Sequence, residues 1–215
     1  LNGVQSHEPA LQDAADEAFF ALRDRVAQEV GWDFLGSLEQ TFIPLSSSVT
    51  PGISQDWLYT GRAFRFNTAP VNAGWVVVIR EEYGPQTYWR IFLRTRFQDG
   101  SQGRPLSDLP WNFDTRHSGD PLAYEHGGSL NIQIPTGYWF DFTPLANAFG
   151  WDRQETLPSW KIAYSSIRYN EFVLRQGLDW LSAMLQIYPR QALDTPTPVP
   201  PPTLTPTVTL PPPQL

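Results

Sequence analysis

Apolar residues recur at helical spacing near the start of the chain: Leu11, Ala15, Ala18, Leu22 and Val26, with Phe19 beside them. Asp13, Asp16, Arg23 and Asp24 fall mostly off that stripe. The period predicts an amphipathic helix of about five or six turns with one face on a core. Ser6 is placed to cap it, Pro9 fits its first turn, and Gly31 ends it in the C′ position. Beyond it, Trp32, Phe34 and Leu35 read as packing under the helix. Residues 41–43 read as a short strand before Pro44, and residues 46–52 as a loop.

The stretch from Trp57 to Phe66 reads as a strand-like segment interrupted by Gly61. The clearest β pattern follows, at residues 75–80 and 87–97, with Tyr83, Gly84 and Pro85 in the turn between them. In the second strand Arg90, Phe92, Arg94 and Arg96 share one face, while Trp89, Ile91, Leu93 and Phe97 supply apolar surface. The arginine row is the solvated face of a half-buried antiparallel sheet, or else an anion site. Residues 101–119 read as irregular, with Pro105, Pro110 and Trp111 tucking the segment onto the body.

Asp120 and Pro121 open a short helix that Gly127 and Gly128 close. Residues 137–142 read as a strand, and residues 143–149 as a brief helix stopped by Gly150. One or two strands are expected within 160–174. Asp179 caps a last helix, 180–188, ended by Pro189. The elements predict an α+β fold, an antiparallel sheet with packed helices. Residues 1–7 form a lead-in, 8–193 a single domain, and 194–215 a disordered tail rich in Pro and Thr. Such a tail favours extended polyproline geometry and acts as a spacer, which implies a further domain beyond it or a surface to stand away from.

Composition narrows the function. With 41% hydrophobic and 17% charged residues, the chain is globular rather than disordered. Nine Trp, eight Tyr and thirteen Phe exceed what a core of this size uses, so some rings are expected on a surface suited to sugars or peptides. The net charge of −7 and the lack of a basic run disfavour nucleic acid. Cysteine is absent, which removes disulfides, iron–sulfur clusters and thiol chemistry. No apolar run approaches the roughly 20 residues that span a bilayer. The chain opens on Leu1 rather than Met, and reads as a piece of a longer, exported protein whose signal has been removed.

Chemistry has two routes. His117, Asp120 and His126 lie close in sequence and carry ligand types that suit zinc. In the alternative reading Asp120 is a helix cap and the histidines are loop residues. A pair of carboxylates drawn from Asp56, Asp114, Asp141, Asp152 and Glu171 could instead serve as general acid and base. No nucleophile elbow and no phosphate-binding glycine loop is present.

The segment Tyr59-Thr60-Gly61-Arg62-Ala63-Phe64 resembles the signature of the D-Ala-D-Ala carboxypeptidase and Hedgehog-type zinc peptidase superfamily. That signature has a His, a Gly-x-Ala core and an Asp seven residues after the His. Aligned on Gly61 and Ala63, Leu58 takes the His position and Arg65 the Asp position. The family's last ligand is a second His after a helix and a Tyr-Gly-Phe-like turn. Residues 145–151 resemble that helix and turn, and Trp160 with residues 168–172 the tail, yet no histidine follows His126.

The chain is also similar to uncharacterised bacterial envelope modules that accompany TolB-type propellers, over most of residues 20–190. The shared residues are Gly61 to Phe64, Gly119 and Asp120, Ala123 to Glu125, and Gly137 to Trp139. The resemblances imply a pseudo-enzyme: an exported, non-catalytic cell-envelope module on a peptidase-like fold, with no metal and no cofactor. Its degenerate site would hold a cell-wall peptide or glycan through Leu58, Tyr59, Arg62, Arg65, Trp160, Tyr169 and Glu171. A metal- or carboxylate-dependent hydrolase of wall material, and an assembly part with an aromatic protein interface, are the alternatives.

Overall fold

The structure, a computed structural model, describes residues 1–47 and 53–193. The expected Pro/Thr-rich tail and residues 48–52 of the expected loop lie outside the described residues. The helical stripe at the front of the chain becomes helix α1, Asp13–Val30, which buries Ala15, Phe19, Leu22, Val26 and Val30. Gly31 ends it in the left-handed conformation, φ 78°, with its N–H on the Ala27 carbonyl. The start differs from the expectation: Ser6 and Pro9 lie outside the helix, and Gln12 holds the cap position without a side-chain bond. Tertiary pairing takes the preceding residues instead. The Gln5 N–H donates to the Gly36 carbonyl, and the Leu38 N–H donates to the Gln5 carbonyl.

The chain continues through strands β1, Leu38–Gln40, and β2, Ala63–Phe66, helix α2, Ala69–Asn72, and the hairpin β3, Val76–Tyr83, with β4, Gln86–Arg94. Strand β5, Trp111–Asn112, helix α3, Pro121–His126, and strand β6, Ser129–Leu130, come next. Strand β7, Trp139–Asp141, helix α4, Phe142–Ala148, strands β8, Asp152–Arg153, and β9, Glu171–Val173, and helices α5, Trp180–Met184, and α6, Arg190–Leu193, complete it. The strands form sheets ordered β1-β2-β9-β8, β3-β4-β7 and β5-β6, and all pairings are antiparallel. Helices on antiparallel sheets make this an α+β body.

Several boundaries correct the sequence reading. Residues 41–43 are not a strand. Thr41 is buried with its hydroxyl on the Glu8 carbonyl, and β1 lies just before it. Residues 57–60 form a 3₁₀ turn rather than a strand. The Asp56 carboxylate accepts the Leu58 N–H at 3.0 Å, and the Thr60 hydroxyl donates to the Trp57 carbonyl at 2.6 Å, so two polar side chains close the turn. Gly61 then reverses the chain at φ 64°, and a Cβ there would stand 3.0 Å from the Gln12 nitrogen. The expected strand 87–97 ends at Arg94, because the Arg96 N–H leaves the sheet for the Val30 carbonyl. The helix expected over 180–188 stops at Met184, and a further short helix, α6, follows Pro189. Residues 160–174 contribute one strand, β9.

Strands β2 and β9 form a wall between two cores. Phe64 pairs with Phe172 and faces the larger one, with Phe19, Phe66, Trp89, Phe142 and Trp151. Ala63 pairs with Val173 and faces a smaller one of Ile43, Trp57, Leu58, Tyr59, Ala183 and Met184. Side chains alternate along a strand, so Arg65 and Glu171 stand on the same face as Ala63 and Val173.

Candidate functional site

The register that pairs Arg65 with Glu171 places a carboxylate inside the body. Glu171 is fully buried and accepts from Arg65 at 3.0 Å (Nε) and 2.9 Å (Nη2) on Oε2. Arg168 donates to both of its oxygens. Arg168 sits in the left-handed region, φ 54°, a costly place for a side-chain-bearing residue, and the Glu171 N–H on its carbonyl closes that turn. Arg65 also donates to Gln40 at 3.0 Å, and Asp56 lies 3.4 Å from its Nη2. Two buried carboxylates therefore share one guanidinium, and Glu171 is the better served.

That inequality sets opposite proton affinities. Burial pushes Glu171 up, but the charges of Arg65 and Arg168 outweigh it and hold the carboxyl below its usual range. For Asp56, burial and then the charge of Glu171 dominate, and its carboxyl rises. The Glu171 contribution to stability is full above its unfolded pKa of about 4.3 and is lost as the pH falls through the lower folded value. The Asp56 contribution is full below its unfolded pKa of about 3.9 and is lost as the pH rises through the higher folded value. In Asp56→Asn, melting temperature followed from about pH 7 down to about pH 3 is expected to lose the acid-side gain and keep the acid-side fall. Two superimposable profiles would show that Asp56 has no raised affinity.

Of the seven residues singled out from sequence, the fold joins Arg65 and Glu171 directly, and Leu58 and Tyr59 share the smaller core. Arg62 is turned to the Leu174 carbonyl and the side chains of Gln176 and Gln186. Trp160 packs edge-on to Trp89, with the Arg80 guanidinium 4.9 Å from its ring centre. Tyr169 stacks on Phe113, and its hydroxyl lies 2.9 Å from that of Tyr164. Each of the seven is mostly buried, so this cluster presents little to a ligand from outside.

Asp120 caps α3 by accepting the Leu122 N–H at 2.9 Å, while His117 ends a 3₁₀ turn and His126 ends α3. Among the described residues no three His, Cys, Asp or Glu side chains are grouped to hold a metal ion. Of the other carboxylates, Asp141 is held by Arg90, and Asp152 accepts from Asn147 at 2.7 Å.

A cleft of about 270 Å³ opens at the far side of Tyr169. The end of α2, strand β3, strand β5 with Phe113, and residues 131–139 bring its walls together. Trp111, Phe113, Trp139, Tyr164 and Tyr169 supply rings, and Asn72, Asn112, Asn131 and Asp114 supply polar groups. Trp111 and Phe113 are half-buried, and Tyr164 is 59% exposed. Asn112 accepts the Asp114 N–H at 2.9 Å. Asn72 is exposed and Asn131 half-buried, and the side-chain amides of both are hydrogen-bonded to no other described residue. Burial raises the proton affinity of both tyrosine hydroxyls, so they stay neutral.

Sequence reasoning reached Tyr169 and Asp114 but passed over the asparagines. The run Trp111-Asn112-Phe113-Asp114 alternates ring and polar group, and that alternation was the available signal. No family model, no curated protein and no solved structure matched the chain on comparison. The functional reading therefore rests on the residues and their geometry. Among the described residues no helix is long and apolar enough to cross a membrane.

Proposed function

We propose that this chain is a non-catalytic, exported module of the cell envelope that holds a cell-wall peptide or glycan in the aromatic cleft. The supporting observation is the cleft itself, which five aromatic residues and the side chains of Asn72, Asn112 and Asn131 line together. Binding sites combine apolar walls with a few polar groups that fix orientation, and this lining has that make-up. The Arg65 cluster, first singled out by resemblance, binds its own carboxylates rather than serving as the grip. The envelope setting rests on the resemblance to envelope modules.

The test is co-sedimentation of the full chain with purified cell walls. Retention is expected, and Tyr164→Ala is expected to weaken it about tenfold, the effect of losing about 1.4 kcal/mol. A chain that stays in the supernatant at all wall concentrations would overturn the proposal. A carboxylate-dependent hydrolase keeps one supporting observation, Asp114 in the cleft. Release of soluble fragments from those walls, abolished by Asp114→Asn, would favour it.

A further inference from the structure

The aromatic cleft has a neighbour along the paired strands β5 and β6. A second depression, about 520 Å³, shares Asn112 and Asn131 with it as lining residues. Its walls carry hydroxyls and amides, among them Thr115, Ser118, Ser129 and Gln133. Ile132, 97% exposed, and Leu130, 51% exposed, stand beside them. Among the described lining residues of the two depressions there is no Lys or Arg, and Asp114 and Asp120 are the charged ones.

We infer that the ligand is a linear, uncharged polysaccharide strand lying across both depressions, with Asn112 and Asn131 at the crossing point; this rests on the binding-module reading above. A sugar ring has a face of C–H groups and a rim of hydroxyls. The C–H face fits partly exposed aromatic and aliphatic side chains. The rim needs partners that both donate and accept, which amides and hydroxyls do and charged groups do not. A peptide stem with free carboxylates would need cations that the lining lacks. A polyanionic strand would meet the chain's net charge of −7 without a basic patch to offset it. Two adjoining depressions accept more units than one, so affinity grows with strand length as further units engage.

The experiment is calorimetric titration of the full chain with N-acetylglucosamine oligomers of about two to about six units, a wall stem pentapeptide and polygalacturonate, at low and high salt. Sugar binding that strengthens about tenfold from the shortest to the longest oligomer, and is unchanged by salt, is expected. Asn131→Ala should remove that gain with length. Asn131 is half-buried and its side chain bonds to no other described residue, so the variant is expected to stay folded, as an unchanged melting temperature would check. Binding of the pentapeptide or of polygalacturonate in place of the neutral oligomers, or affinity independent of length, overturns this inference. Walls that retain the chain while the oligomers do not bind would sink the polysaccharide ligand and leave the module reading standing. Walls that do not retain it would sink both.

Discussion

Replacing Glu171 with glutamine is expected to lower the free energy of unfolding by about 3–5 kcal/mol, the range for removing one partner of a buried ion pair. Glu171 has no solvent exposure, and it neutralises Arg65 and Arg168 from the inside. Glutamine keeps the shape and one acceptor oxygen but removes the charge. Arg65 would retain the Asp56 carboxylate at 3.4 Å, whereas Arg168 would lose its carboxylate partner and keep neutral oxygens such as that of Gln154, at 3.3 Å. Arg168 would then be left charged, buried and in a strained backbone conformation. Urea unfolding measures the change. A loss under about 1 kcal/mol, the value for exposed pairs, would show that water reaches the cluster and screens it.

Phe64→Ala is expected to cost a similar amount, about 3–5 kcal/mol, but for a different reason. The ring has no exposure and contacts Phe19 at 5.4 Å, Trp151 at 4.9 Å and Phe172 at 5.7 Å between ring centres. These three come from α1, from the residue before β8 and from β9, so Phe64 ties the helix to the central sheet. Truncation removes apolar area and leaves a hole that such rigid neighbours do not close. Phe64→Leu fills part of the hole and is expected to cost less than half as much. Equal losses for Leu and Ala in urea unfolding would point to ring geometry rather than cavity volume.

The parts legible in the sequence are those with local causes. Helix α1 carries its own period and a terminal glycine. The β3–β4 hairpin carries two apolar runs around Gly84 and Pro85, and α3 carries Asp120, Pro121 and Gly127. Strands β1, β5, β6, β8 and β9 are two or three residues long and exist because something else pairs with them. The run from Trp57 to Thr60 has strand-like composition, yet the Asp56 cap and the Thr60 hydroxyl wind it into a turn. The site follows the same rule. Arg65 and Glu171 could be named singly, but their contact spans 106 positions and leaves no periodic trace. The cleft is assembled from segments between Val71 and Tyr169, none of which is a motif by itself.

The strand order β1-β2-β9-β8 has a consequence for how the protein is made. During synthesis β1 and β2 emerge early, with Phe64 and Phe66 on them, and their inner edge waits for Glu171–Val173. Pairings between distant segments form slowly, because a long loop must close before any contact rewards it. The sheet is thus a clasp whose two halves are separated in synthesis by the 106 positions between Arg65 and Glu171. A nascent chain cannot lock this sheet before Glu171–Val173 is made. A chain cut anywhere before Glu171 would not be a smaller version of this domain; it would be an open edge with nothing to shut it.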